Sequence, residues 1–126
     1  STGVIDAPIG RDQRDPTKMA VVIDGKFART HYDVVQKFDL PQPCALVECQ
    51  LETGRTHQIR VHLDSIDHPV VGDSTYGGAR SSLSSPRPML HAAKLSFTHP
   101  FTAETVSFAV AIPEDMQLVI NRCGNA

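Results

Sequence analysis

No stretch of the 126-residue chain approaches the ~20 consecutive apolar residues that a membrane-crossing helix requires. The first residues also lack the basic, apolar and small-residue progression of a secretory signal. Cysteine is scarce: Cys44, Cys49 and Cys123 form no Cys-x-x-Cys pair and are odd in number, which suits reduced thiols packed as small apolar groups. Together these absences point to a soluble protein of the cytoplasm. Several chemistries are short of parts as well. There is no Gly-x-Ser-x-Gly elbow, and Ser81, Ser82, Ser84 and Ser85 lie in loop-like sequence, so a serine hydrolase finds no support. His57 and His62 have no Glu or Asp at the positions of a His-Glu-x-x-His zinc helix, which leaves a metal hydrolase resting on the number of histidines alone.

What is present suits one compact unit over residues 1–126, because 40% hydrophobic content is enough for a core and 21% charged content argues against disorder. The start at Ser1 without a methionine suggests a processed or excised piece. The net charge of −2 does not advertise a polyanion partner, so the distribution matters more than the sum. Basic side chains outnumber acidic ones only between residues 53 and 94, and four of the six histidines, His57, His62, His68 and His91, share that segment.

Met19 to Ile23 followed by Asp24-Gly25 reads as a strand and turn, with the next strand resuming near Ala28 as a hairpin. Alternation from Thr30 to Lys37 predicts another strand, and Cys44 to Leu51 predicts a third after Pro41 and Pro43 break the run. From Thr56 the period changes: Ile59, Leu63 and Ile66 fall on one helical stripe, His57, Arg60 and Asp64 beside it, and His68-Pro69 closes the helix. Residues 77–88, rich in Gly, Ser and Pro, read as a mobile loop carrying Arg80 and Arg87. Strands are expected over Met89 to Phe97 and Glu104 to Val110, paired antiparallel about His99-Pro100-Phe101. A last helix follows Pro113, with Glu114 and Asp115 at its positive end.

Leu51 to Leu63 concentrates two arginines, two histidines and a glutamine in a turn and the helix after it. Gly54 stands where the chain must turn, and the N–H groups after Thr56 are placed to hold a phosphate or carboxylate, or else to receive an ordinary threonine cap. Arg60, beside the apolar stripe, should be partly desolvated and in want of a bidentate acidic partner, the plain alternative being an i, i+4 pair with Asp64. Leu90 and His91 open a predicted strand beside the basic loop, where they either join the core or wall a pocket for a planar base.

Gly3-Val-Ile-Asp-Ala-Pro-Ile-Gly10, Thr30-His31-Tyr32, Thr53-Gly-Arg-Thr-His-Gln-Ile-Arg-Val-His62, His68-Pro-Val-Val-Gly-Asp73, Tyr76-Gly77 and Leu90-His-Ala-Ala-Lys-Leu-x-Phe-x-His-Pro100 resemble RluA-type RNA pseudouridine synthases in order and spacing. The resemblance implies an α+β fold, with a mixed, largely antiparallel sheet, a few short helices and a cleft. It implies isomerisation of uridine to pseudouridine in ribosomal or transfer RNA of a bacterial cell, with no metal or organic cofactor. An aspartate in an Arg-Leu-Asp context attacks the nucleoside once the base has left the RNA stack. Arg60 matches the arginine that ion-pairs with that aspartate, and Leu90 matches an apolar wall of the uracil pocket. Arg55, Thr56, His57, Gln58 and His91 complete the expected RNA-contacting set.

Arg-Leu-Asp itself occurs nowhere in these residues, nor does the family's pocket tyrosine; Tyr32 and Tyr76 stand in other motifs. The chain is therefore expected to be the C-terminal part of a catalytic domain, inactive alone. The alternative is a non-enzymatic RNA-binding module without the nucleophile. A half-sheet also exposes an edge, so a homodimer or swapped association is expected.

Overall fold

The computed structural model describes the backbone of residues 1–92, 94–98, 105–109 and 111–125, with side chains described for residues 1–92 and 111–125. In chain order the elements are β1 (Thr2–Asp6), β2 (Ile9–Arg11), β3 (Met19–Val21), β4 (Arg29–Phe38), β5 (Cys44–Leu51), α1 (Gln58–Ser65), β6 (Lys94–Thr98), β7 (Thr105–Ala109) and α2 (Glu114–Asn121). The class is α+β, and every strand pair described is antiparallel: β1-β4-β5 form one sheet, β2-β3 a second and β6-β7 a third. β5 and β7 follow the sequence patterning closely, and α2 begins directly after Pro113, with Glu114 and Asp115 in its first turn.

The expected hairpin between Met19–Ile23 and the next strand does not form. β3 pairs with β2 instead, Ile9 facing Val21 and Arg11 facing Met19, while β4 lies between β1 and β5. After the turn, Lys26 returns to Ile9 through paired backbone bonds of 2.9 and 2.8 Å. Gly25 permits that approach, because a Cβ there would fall 2.6 Å from the Ile9 carbonyl carbon. The strand expected from Met89 starts only at Lys94. Ahead of it, the N–H of Met89 goes to the Val71 carbonyl and that of Leu90 to Pro88, so those groups are not available to a ladder. The turn expected at His99-Pro100-Phe101 lies outside the described residues.

Ile9, Ala28, Val61 and Tyr76 form a buried cluster with Met19 packed on it, joining the β2-β3 pair to α1 and to the turn that follows the helix. That cluster sets the depth at which α1 sits. The segment read as a mobile loop is pinned at two points: Leu83 is buried, and Arg87 grips Asp115 of α2 through Nε and Nη2 at 2.7 and 3.0 Å. Arg80 is turned back on its own loop, donating to the carbonyls of Gly77 and Ala79.

After α1, a tight turn closes where Gly78 N–H donates to the Asp73 carbonyl and Gly72 N–H to the Gly78 carbonyl. A Cβ on Gly78 would lie 1.8 Å from the Val70 carbonyl oxygen, whereas one on Gly54 would meet nothing within 4 Å. Gly78→Ala is therefore expected to force the turn open and cost about 2 to 3 kcal/mol. Gly54→Ala should stay within about 0.5 kcal/mol of the parent. Urea unfolding midpoints of the two variants check the contrast.

Candidate functional site

The helix that carries the signature is seated by its own side chains. Gln58 is buried and uses its whole amide: Nε2 donates to the Arg29 carbonyl and to Thr30 Oγ1, both at 3.0 Å. Its Oε1 accepts from the Arg55 N–H at 3.0 Å and from Thr53 Oγ1 at 2.7 Å. Thr30, having accepted from Gln58, donates its hydroxyl proton to His62 Nδ1 at 2.8 Å, and His62 Nε2 donates to the Ala7 carbonyl at 2.9 Å. For a neutral imidazole the direction is set by the ends of the chain, since a carbonyl only accepts and an amide nitrogen only donates. Gln58, expected among the RNA contacts, has no donor or acceptor left for one. It fastens α1 to β4.

The same network removes the basis for a two-histidine metal site. His62 is fully buried with both ring nitrogens engaged, while His57 bonds through Nδ1 to Tyr76. Among the described residues no group of three or more His, Cys, Asp or Glu side chains is arranged to hold a metal ion.

Arg60 finds a bidentate carboxylate, as its position demanded, but the partner is Asp73 and not Asp64. Nε donates to Oδ2 at 2.7 Å and Nη2 to Oδ1 at 2.9 Å. The Asp73 side chain is fully buried, the Arg60 side chain 19% exposed. Asp73 Oδ1 also accepts the backbone N–H groups of Thr75 and Tyr76, at 3.1 and 3.2 Å. Burial pushes the Asp73 carboxyl up, but the Arg60 donors and the Tyr76 and Thr75 amides together outweigh it and hold it below the ordinary carboxylate value. The guanidinium lies 5.0 Å from the centroid of the Tyr76 ring, and among the described residues no acceptor takes up Nη1.

Both ends of α1 turn on left-handed residues that are not glycine. Its N-cap is His57, at φ 55 and ψ 25, with no side-chain capping bond, so neither Thr56 nor Gly54 supplies the special geometry expected of them. At the other end Asp67 has φ 65, Asp67 N–H returns to the Asp64 carbonyl and His68 N–H to Leu63. This Schellman-type closure ends the helix before the His68-Pro69 step is reached. A left-handed conformation costs a non-glycine residue about 1 kcal/mol or more, and persists only where surrounding contacts enforce it.

The remaining expected residues separate into two neighbourhoods. Arg55 docks Nε on the Phe27 carbonyl at 2.8 Å, Thr56 and His57 are exposed beside it, and Arg60 follows one turn into α1. Leu90 instead lines a cleft of about 710 Å³ between the β4-β5 face, α1 and α2, together with Val34, Val47, Ile59, Leu63 and Val119. Arg60 and His57 are not part of that lining; the apolar stripe of α1 faces the cleft and its polar flank faces the Asp73 turn. Tyr32 also lines the cleft, with its ring over Gly3. His91 follows Leu90, half-buried.

Asp73 and Tyr76 were visible in the sequence only as letters of a motif. A carboxylate thirteen residues beyond Arg60 escapes any short-range helical pairing rule. The one local hint was a Gly-Asp step followed by Tyr-Gly, the composition of a tight turn.

An arginine-bearing helix held by a buried carboxylate, beside an apolar cleft in an antiparallel α+β frame, has counterparts among known proteins. The RNA pseudouridylate synthase family matches residues 1–65, and the chain belongs to that family, on its RluA-type branch. An uncharacterized RNA pseudouridine synthase of Chloroflexus aurantiacus is 51% identical over 121 residues, covering 96% of this chain and 37% of that protein. Ribosomal large subunit pseudouridine synthase D of Nitrosomonas europaea is 46% identical over 130 residues, covering 98% and 37%. The solved structure of human RNA pseudouridylate synthase domain containing 1 superposes with a TM-score of 0.75 at 32% identity, covering 88% of this chain and 48% of that one. The chain thus spans well under half the length of these curated relatives.

Because the Asp73 carboxyl is held below its ordinary value of about 3.9, the pair's contribution to stability is complete above that pH and is lost as pH falls through the lowered value. Asp73→Asn strands a half-buried guanidinium and is expected to cost about 3 kcal/mol at neutral pH. It should also flatten the acid limb of the stability profile, as measured by urea midpoints from about pH 6 to about pH 2.

Proposed function

We propose that this chain supplies the Arg60 side of an RNA pseudouridine synthase that isomerises specific uridines in ribosomal or transfer RNA, while the nucleophilic aspartate comes from outside these residues. The observation that carries the reading is the sidedness of the Arg60 guanidinium. Asp73 takes the edge formed by Nε and Nη2, which fixes the plane of the fork and leaves the Nη1 edge for a second carboxylate. A nucleophilic aspartate placed there remains ionised without a lysine's rotational freedom in its partner. His57, exposed at the N-terminal end of α1, and the half-buried Arg55 beside it are then assigned to phosphate oxygens, and Leu90, in the cleft on the apolar side of α1, to the apolar face of a uracil. The reaction needs no metal or organic cofactor in this scheme, and a cytoplasmic RNA is the substrate.

The chain by itself is expected to be inactive. Incubated with unmodified bacterial ribosomal RNA and mapped for pseudouridine, it should leave every uridine unchanged; turnover at any position would overturn the assignment of the nucleophile to other sequence. In an open reading frame that carries Arg-Leu-Asp upstream, Arg60→Lys should lower kcat by about 100-fold or more with RNA affinity little changed, because the fork facing the reacting carboxylate is lost while a positive charge remains opposite Asp73. A fall in affinity with kcat retained would instead make Arg60 a phosphate contact.

The outer edge of β5 has no strand partner among the described residues. We infer that the isolated chain self-associates there. A strictly monomeric species in light scattering at high concentration would remove that inference.

A further inference from the structure

We propose that Tyr76 is a positioning residue that fixes His57 as the Nε2–H tautomer and turns that single N–H outward as a donor to a phosphate oxygen of bound RNA. The inference rests on the RNA-binding reading given above and adds to it the group that sets the histidine.

The Tyr76 ring is buried in the cluster with Ile9, Ala28 and Val61, and its Oη accepts the Met19 backbone N–H at 3.0 Å. A buried phenol still has a proton to place, and His57 Nδ1 lies 2.9 Å away. If Nδ1 carried the proton, two donors would face the tyrosine oxygen and its own O–H would be left without an acceptor. The satisfied arrangement has the phenol donating to Nδ1, which leaves the imidazole proton on Nε2. The two rings meet edge to face, 78° apart with centroids at 5.7 Å, so the imidazole is held from the side and its Nε2 edge points away from the phenol. His57 is also exposed while its backbone sits at φ 55, a conformation that glycine or asparagine reaches more easily. A strained, exposed histidine tied by one buried hydroxyl is unneeded for packing and well suited to aiming a donor.

The surroundings favour an anion. Lys18 Nζ lies 5.5 Å and Arg60 Cζ 5.0 Å from the centroid of the same tyrosine ring, and Arg55 stands two residues before His57. Arg60 is balanced by Asp73, and Lys18 has Asp15 and Asp64 within electrostatic reach without ion-pair contact, so Arg55, which among the described residues has no carboxylate within ion-pair distance, is the cation that brings local positive charge toward the imidazole. Backbone phosphates are the acceptors such a field collects.

Two measurements on the 126-residue chain separate the inference from the reading beneath it. Nitrogen-15 correlation spectra in mildly alkaline buffer should show the His57 ring as the Nε2–H form, and Tyr76→Phe, which keeps the buried ring, should release it to a mixture of tautomers. A Nδ1–H ring in the parent chain, or an unchanged ring in Tyr76→Phe, overturns the positioning role without recourse to folding. Binding to an unmodified transcript of bacterial large-subunit ribosomal RNA at fixed salt should weaken about three- to tenfold in Tyr76→Phe and in His57→Ala. The double variant should bind no worse than His57→Ala, since the tyrosine acts through the histidine. Full affinity in His57→Ala, with the tautomer still set by Tyr76, removes the RNA contact and leaves only the ring geometry. Additive losses in the double variant would give Tyr76 an independent structural effect and overturn the proposal.

Discussion

Asp73 is a carboxylate fully withdrawn from water, and a charge in that position survives only when it is paired and hydrogen-bonded. Two guanidinium nitrogens and two backbone amides answer it here. The requirement reaches outward from that one group. Thr75 and Tyr76 must present their amides together, which demands the tight turn closed by Gly78. Arg60 must arrive in plane, which demands that α1 sit at one depth and one rotation. Lysine would meet the charge and miss the geometry.

Depth and rotation come from a second buried polar chain that runs from Gln58 through Thr30 and His62 to the Ala7 carbonyl. It joins α1 to β4 and to the segment after β1, while Val61 and Tyr76 close the apolar side of the same contact. Two polar systems on neighbouring faces of one short helix leave it little freedom, so its exposed side chains are presented by a rigid support. The groups that packing leaves over at this helix are one edge of Arg60, the outer nitrogen of His57 and the far end of Arg55.

Much of the architecture was legible because it is local. β5 was recognised from alternation and flanking prolines, α2 from Pro113 and the acids behind it, and the apolar stripe of α1 from its period. Pairing was less legible. Nothing in the letters of Met19 to Gly25 says that Ile9, far upstream, will take both Val21 and Lys26 as neighbours, because that choice depends on a close backbone approach at Gly25. The site divides the same way. Arg60 was singled out by its place beside an apolar stripe, and it does hold a bidentate carboxylate. Its partner was missed because a turn, not a helical repeat, delivers it. Gln58 was misjudged since a polar letter in a signature gives no sign of whether its amide faces solvent or the sheet.

The eight residues of α1 lie between two left-handed positions, His57 and Asp67, neither of them glycine. A segment bounded in this way has no sliding register: inserting one residue between His57 and Arg60 would swing the guanidinium by about 100° around the helix axis and carry it off the Asp73 turn. Chain length between these two bends is therefore as tightly constrained as the identity of the side chains it carries. Insertions and deletions should be tolerated elsewhere, on the exposed tip near Ile23, long before they are tolerated within this span.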